Sequence, residues 1–224
     1  MDALAILQNK DTKIVIENHY LGAVLDGNQF DTFYHEHPRT YSYTSFKYMA
    51  ETLGIDLEAV EFPSRYGGNI RVFMGLDSKI DNKESLAELD ARESLFEHQF
   101  DVLQANIKKW TVSKRAFIKA TFDQNGKINA KAFPGRSAIL VKMLDIDEKV
   151  ISAVYEKPGS LKVGHYVPGT RIPILSDDDL LSSGSLDKPL LNLAWHISKE
   201  IRSYLASSKY TGVITDILDN DDFS

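Results

Sequence analysis

The spacing of apolar residues over the first third of the chain alternates between helical and strand periods. A helical pattern at residues 2–9 leads into a strand-like run at 13–17, and a second helix has Thr44 as its N-cap and Gly54 as its stop. Two more strand-like runs follow, at residues 57–62 and 70–74. Proline and glycine residues separate these two runs, so they predict a wide hairpin.

A long amphipathic helix is predicted from Ser85 to about Thr121, and Asn125-Gly126 marks the end of the helical pattern. Its apolar residues lie three, four or seven positions apart and so share one face. They are Phe96, Phe100, Leu103, Ile107, Trp110 and Phe117. This stripe favours core packing over a cofactor site.

Beyond Gly126, strand-like and helical segments alternate. We predict strands at 127–133, 150–155, 190–194 and 212–216, helices at 137–144 and 197–205, and an irregular stretch up to Pro173. Strands separated by helices predict an α/β unit with a parallel sheet of Rossmann type. The chain thus divides into residues 1–75, linking helices at 76–125, and a Rossmann-like domain at 126–224.

Composition removes several classes of function. The 224 residues carry a formal net charge of −6, and no basic tract could neutralise a row of phosphates, which argues against nucleic acid as a partner. There is no cysteine, which excludes disulfides, thiolate catalysis and zinc–thiolate sites. No signal peptide and no apolar run of membrane-spanning length is present. We expect a cytoplasmic protein without a membrane partner.

The segment Tyr34-His35-Glu36-His37-Pro38 is the first candidate for chemistry. Pro38 keeps His37 out of helical backbone angles, so the segment is expected to be extended or turned. Three interpretations remain open. The His-x-His spacing, with His19 as a third imidazole, would suit a metal ion; an imidazole beside a carboxylate or phenol would suit acid–base catalysis; or these are polar residues at a domain edge.

A second candidate lies in the C-terminal unit. Arg136 follows Gly135 between a predicted strand and a helix, where backbone N–H groups can hold a phosphate. The fingerprint G-x-G-x-x-G is not present, but Glu156 ends the next strand, the position of a ribose-binding carboxylate in Rossmann units. Arg171 lies in a Pro/Gly-containing loop that we expect at the carboxyl edge of the sheet. Arg136 and Arg171 could meet phosphates or form surface salt bridges.

Several motifs, in order along the chain, resemble the S-adenosylmethionine-dependent sugar C-methyltransferases that act on nucleotide-linked 4-ketohexoses. They are Phe30-Asp31-Thr32-Phe33-Tyr34-His35-Glu36-His37, Gly67-Gly68-Asn69-Ile70-Arg71, Tyr166-Val167-Pro168-Gly169-Thr170-Arg171-Ile172-Pro173-Ile174 and Leu193-Ala194-Trp195-His196. The resemblance runs from about residue 13 to 218. Asn69 stands where serine is usual in that family, and His196 where asparagine is usual.

The resemblance implies a fold and a mechanism. Residues 1–75 would be the last strands of a class I methyltransferase sheet. A base would remove the proton next to the sugar ketone, and the enolate carbon would take the methyl group. By this analogy His37 is the base, and Tyr34 and Glu36 stabilise the enolate or orient the imidazole. The substrate-binding residues would be His19, Arg71, Arg136, Glu156 and Arg171, with no metal ion.

The family pattern also has parts that this sequence does not show, namely a cysteine-rich zinc domain and a glycine loop for S-adenosylmethionine. The resemblance implies S-adenosylmethionine as the cofactor. Because these parts are not in the sequence, either a separate chain supplies the half that binds the cofactor or the chain is a fragment. Two alternatives stay open: a non-catalytic module that binds a nucleotide-diphosphate sugar, and a His-x-His metal-dependent hydrolase.

Overall fold

The computed structural model describes residues 2–7, 9, 11–63, 68–75, 86–184 and 186–223. It divides into two compact units, Met1–Ala105 and Asn106–Ser224. The boundary falls inside a long helix, within the linking region predicted at residues 76–125. The two parts are called unit 1 and unit 2.

Unit 1 combines short helices with three strands. In chain order they are α1 (Asp2–Leu7), β1 (Ile14–His19), α2 (Leu21–Asp26), a 3-10 turn (Phe30–Thr32), α3 (Tyr43–Leu53), β2 (Asp56–Glu61), β3 (Asn69–Gly75), α4 (Leu86–Glu93) and the first part of α5 (Phe96–Asn125). The predicted helix at the N-terminus, the first strand and the hairpin are confirmed. Helix α2 was not predicted, because its six residues are too few for a visible helical period.

The three strands of unit 1 form an antiparallel sheet in the order β1-β3-β2. Cross-strand partners share a face, and the register pairs His19 with Asn69 and Glu17 with Arg71. Residues on the opposite face of β3 are fully buried: Ile70, Val72 and Met74. The sheet therefore has one apolar face and one polar face, and the polar face ends at His19.

Helix α3 packs on this sheet and is held at both ends. Ser42 caps its N-terminus through a capping box with Ser45, and Gly54 ends it in the left-handed conformation, with φ 66°. The predicted N-cap, Thr44, was wrong by two residues. The buried Glu93 carboxylate accepts hydrogen bonds from the Tyr43 and Thr44 N–H groups at 2.6 and 2.8 Å, so α4 anchors the start of α3.

Helices α4 and α5 replace the single helix that was predicted from Ser85. Helix α4 ends at Glu93 and α5 begins at Phe96, so the prediction of one continuous helix was wrong. The end of α5 at Asn125 is as predicted, and Gly126 adopts φ 74°. Among the described helices, none combines the length and apolar character needed to cross a membrane.

Unit 2 contains a parallel sheet, which confirms the predicted Rossmann-type arrangement. Its elements after α5 are β4 (Ile128–Lys131), α6 (Ser137–Leu144), β5 (Ile151–Glu156), β6 (Ile174–Ser176), α7 (Asp177–Ser182), β7 (Leu190–Asn192), α8 (Ser198–Ser207) and β8 (Ile214–Asp216). The strand order is β6-β5-β4-β7-β8, and every pair is parallel. The sequence analysis missed β6 and α7, which have only three and six residues.

Buried polar contacts fix the interior of unit 2. The Trp110 indole N–H donates to the Ile217 carbonyl at 3.0 Å from a fully buried ring. Lys131, at the end of β4, places its ammonium 2.7 and 2.8 Å from the two Asp177 carboxylate oxygens. Burial, and a hydrogen bond to the same Asp177, raise the pKa of the Tyr204 phenol to about 12.

Candidate active site

The segment that carries His37 is a turn that follows a buried 3-10 turn. Asp31 is fully buried within the 3-10 turn Phe30–Thr32, and the Thr32 hydroxyl donates to the Gln29 carbonyl at 2.7 Å. The His37 N–H then donates to the Tyr34 carbonyl at 2.8 Å. Of the two conformations expected ahead of Pro38, the structure shows the turned one. Because hydrogen bonds hold both this turn and the 3-10 turn before it, the side chains of the turn have defined positions.

Three rings converge at this turn. The His37 and Tyr34 ring centroids are 5.1 Å apart, and the His19 ring lies 6.3 Å from that of His37. His19 is the last residue of β1, so the end of an ordered strand brings the third ring to the turn. The structure thus brings His19 together with Tyr34 and His37, as predicted for one site, although His19 lies 15 positions before Tyr34 in the sequence.

Glu36 contacts the phenol rather than an imidazole. Its carboxylate accepts a hydrogen bond from the Tyr34 hydroxyl at 2.8 Å. An ionised carboxylate has no proton to donate and acts only as an acceptor. The phenol proton of Tyr34 therefore points toward Glu36. The His35 side chain is exposed, and its ring centroid lies 5.5 Å from that of Tyr34.

An open groove lies beside the Tyr34 and His37 rings. Its volume is about 460 Å³, within the range of about 300–1,000 Å³ that is usual for small-molecule sites. The lining residues are Leu21, Phe33, Tyr34, His37, Pro38, Arg39, Thr40 and Phe100. The His37 side chain is exposed in this groove, so a ligand can reach the imidazole.

Phe33, Arg39 and Phe100 are among the lining residues that the sequence analysis does not propose as site residues. Phe33 and Phe100 are large apolar side chains with 40% and 43% exposure, and Arg39 follows His37 by two positions. The signal for Arg39 was its closeness to His37 in the chain. Phe100 had been assigned to core packing, because its helical spacing matches that of the buried stripe.

Arg71, proposed as a substrate-binding residue, is engaged within the polar face of the sheet. Its guanidinium donates to Glu17 at 2.7 Å and to Glu61 at 2.9 Å. Hydrogen bonds to Glu17 and then to Glu61 raise the pKa of Arg71. Asn69 also donates to Glu17, at 2.8 Å. This network ties all three strands together and supports the strand end that carries His19.

In unit 2, Arg136 and Glu156 both lie at the carboxyl edge of the sheet. Arg136 is the N-cap of α6, and its guanidinium lies 5.1 Å from the centroid of the Trp195 ring. Glu156 ends β5, and its carboxylate accepts the Phe133 N–H at 2.8 Å. The Lys162 ammonium is 3.4 Å from the same carboxylate. Glu156 therefore holds the turn that presents Arg136.

Arg171 lies at the other edge of this sheet. The segment from Gly164 to Ile174 folds back on itself, since the Gly164 N–H donates to the Ile174 carbonyl and the Ile174 N–H to the His165 carbonyl. The Arg171 N–H bonds to Glu148 at 3.1 Å, ahead of the start of β5. The structure does not bring Arg171 together with Arg136 and Glu156, contrary to the placement of the loop expected from the sequence.

Residues 64–215 match the family of C-methyltransferase C-terminal domains. The chain belongs to this family. Among curated proteins, the C-methyltransferase NovU of Streptomyces niveus is 25% identical to it over 207 residues, which cover 90% of the chain and 48% of NovU. The chain thus spans about half the length of this curated relative.

The described part of unit 1 does not fit S-adenosylmethionine. A nucleoside cofactor needs close approach of backbone, usually at a glycine turn between a strand and a helix. Among the described residues no such turn follows β1, because the chain enters α2 directly at Leu21. Metal ligands also fail to cluster there, because no three His, Asp or Glu side chains of the described residues could share an ion.

Proposed function

We propose that this C-methyltransferase C-terminal domain protein carries the substrate-binding and proton-abstracting part of a methyltransferase that acts on a nucleotide-diphosphate keto-deoxysugar. The observation that carries the proposal is the convergence of the His19, Tyr34 and His37 rings, two of which, Tyr34 and His37, line an open groove. The antiparallel order β1-β3-β2 supports the prediction that unit 1 is the end of a methyltransferase sheet. The half that binds the cofactor would come from another polypeptide segment.

His37 is the proposed base. A ketone makes the neighbouring C–H acidic, and an imidazole is a base of suitable strength near neutral pH. The imidazole takes the proton, the C–H electron pair forms the carbon–carbon double bond, and the carbonyl π pair moves to oxygen. The resulting enolate carbon is the nucleophile for methyl transfer.

The Tyr34 phenol is placed to stabilise the enolate oxygen. Its proton points to Glu36 in this structure, and a developing oxyanion would compete for it as a hydrogen-bond acceptor. Glu36 then acts as a positioning residue that holds the phenol before substrate arrives. We propose that His19, at the end of β1, orients the sugar from the opposite side of His37. In unit 2, Arg136, Glu156 and Arg171 remain proposed contacts for the nucleotide, with Arg171 separated from the other two.

Deuterium exchange at the carbon next to the ketone tests this proposal with the chain alone, because proton abstraction does not consume the methyl donor. Full-length protein is incubated in deuterium oxide with a thymidine-diphosphate 4-keto-6-deoxyhexose, and exchange is measured by mass spectrometry. We expect exchange by the wild type and a loss of about 10²–10⁴-fold in His37→Ala, the usual contribution of a general base. His35→Ala, which changes the exposed neighbouring imidazole, should retain activity. Equal exchange by wild type and His37→Ala would refute the assignment.

A second candidate function is a module that binds nucleotide sugars without catalysis. This function is favoured because, in the described part of unit 1, no glycine turn for S-adenosylmethionine follows β1. The same experiment separates the two, because a module would bind the nucleotide sugar in calorimetry without any exchange above the rate in buffer.

A further inference from the structure

We infer that Arg39 is the phosphate-binding residue of the groove and that it places a phosphorylated sugar over His37. This inference rests on the proposed function and adds a binding residue to the same site in unit 1. Arg39 lines the groove together with His37. Two residues of backbone span at most about 7 Å, so one sugar phosphate in the groove can reach both the guanidinium and the imidazole.

The charge of the groove favours an anion. The chain as a whole has 32 acidic and 26 basic residues, yet among the described residues that line the groove none is a carboxylate. The nearest carboxylate in sequence, Glu36, bonds to the Tyr34 hydroxyl. An anion that enters the groove therefore meets a guanidinium without a competing negative group in the lining.

The Arg39 guanidinium is available to a ligand. Its side chain is exposed, and within the described ranges no hydrogen bond or ion pair involves it. Arg71 and Arg92 differ, because their guanidinium groups form ion pairs with Glu17 and Asp26. A guanidinium offers paired donors in a plane, a geometry that matches two oxygens of one phosphate. Thr40, in the same lining, adds a hydroxyl donor.

The remaining lining suits the other parts of such a ligand. Phe33 and Phe100 expose large rings, which can pack against the apolar face of a deoxysugar or against a base. In a hexose with its ketone at C4, the acidic C3 and the phosphate-bearing C1 are separated by a single carbon. A base and a phosphate-binding cation two residues apart therefore match the spacing within the substrate. The ligand class is a sugar with a phosphate or diphosphate at C1.

Calorimetry of the full chain with inorganic pyrophosphate and with thymidine diphosphate tests the site. Arg39→Gln should weaken the binding of both probes by about 10-fold or more, the usual effect of removing a charged hydrogen-bond partner, and Arg39→Lys should retain part of the affinity. Lys47→Gln is the matched control, because it removes a positive charge of unit 1 that lies outside the groove lining and pairs with Asp90. It should bind as the wild type does.

Three results would overturn the inference: unchanged affinity in Arg39→Gln, an equal loss in Lys47→Gln, or no binding of either probe by the wild type. Arg136→Gln gives a further comparison, and loss of binding there but not in Arg39→Gln would assign the phosphate to unit 2 instead.

The exchange experiment separates this inference from the proposed function. Arg39→Gln should raise the KM for the nucleotide keto-sugar by about 10-fold with little change in kcat, because it removes a binding contact made equally in the ground state and the transition state. Exchange with an unaltered KM in Arg39→Gln would refute the phosphate role and leave His37 as the base. Diphosphate binding that depends on Arg39, without exchange in the wild type, would refute the proposed function and leave the anion site.

Discussion

Replacing Asp177 by asparagine should destabilise unit 2 strongly. The Lys131 and Asp177 side chains are only 3% and 1% exposed, with the charged atoms 2.7 Å apart. Asparagine keeps the shape of the side chain but leaves the Lys131 charge without its counter-ion. Breaking a buried ion pair on one side costs about 3–5 kcal/mol of unfolding free energy. Lys131 also donates to the Tyr155 carbonyl at 3.2 Å, so we expect the lower end, about 3 kcal/mol.

Urea unfolding followed by tryptophan fluorescence measures this effect in the full chain. The protein has two tryptophans, Trp110 and Trp195, and both lie in unit 2. The signal therefore reports unit 2 separately from unit 1. Asp123→Asn is the matched control, because its ion pair with Lys119 on α5 is largely exposed. An exposed pair contributes less than about 1 kcal/mol, so this variant should unfold close to the wild type.

The double variant Lys131→Met/Asp177→Asn completes the test. It removes both charges, and removal of a buried pair as a whole is often close to neutral. We expect it to recover most of the stability lost in Asp177→Asn, with a coupling free energy of about 2 kcal/mol or more between the two positions, near the top of the usual range. A loss below about 1 kcal/mol in Asp177→Asn, or a double variant as unstable as the sum of the singles, would refute the reasoning.

Two further predictions concern unit 1. Glu93→Ala removes the acceptor for the Tyr43 and Thr44 N–H groups at the start of α3, and loss of such a cap costs about 0.5–2 kcal/mol. Hydrogen exchange of the α3 amides should therefore accelerate while that of unit 2 is unchanged. Equal protection of α3 in the variant and the wild type would contradict the capping role. Tyr34→Phe removes the proposed enolate donor, so deuterium exchange into the keto-sugar should slow by about 10²–10³-fold. Glu36→Gln should slow it less, and a reversed order would show that Glu36 acts on the substrate directly.

The sequence predicted unit 2 better than unit 1. Alternating strands and helices imply a parallel sheet whatever their spacing, and helix α6 was predicted with both ends correct. Strand β6 was not predicted, because its three residues, which follow a proline, are too few to show an alternating apolar pattern. The break between α4 and α5 escaped for another reason: the apolar positions keep a helical spacing across Ser94 and Leu95, so the pattern does not register the interruption.

The candidate site shows what local sequence can and cannot give. Pro38 correctly predicted that the segment ahead of it is not helical. Glu17 and Arg71 lie 54 positions apart, and their pairing depends on the register between β1 and β3. That register cannot be read from a single sequence. The position of Arg171 depends on the return of its loop along the sheet, set by backbone hydrogen bonds that do not depend on side-chain identity.

The two outer strands of unit 1 differ in how they meet other polypeptides. Strand β2 exposes Asp56 and Glu61, whereas β1 begins Ile14-Val15-Ile16, with Val15 53% exposed. Carboxylates on an outer strand discourage the addition of another strand, while β-branched residues with neither lysine nor proline leave its N–H and C=O groups available for pairing. Growth of the sheet is thus directed to the β1 side. Because His19 ends that strand, a strand added there would lie beside one of the three rings of the candidate site.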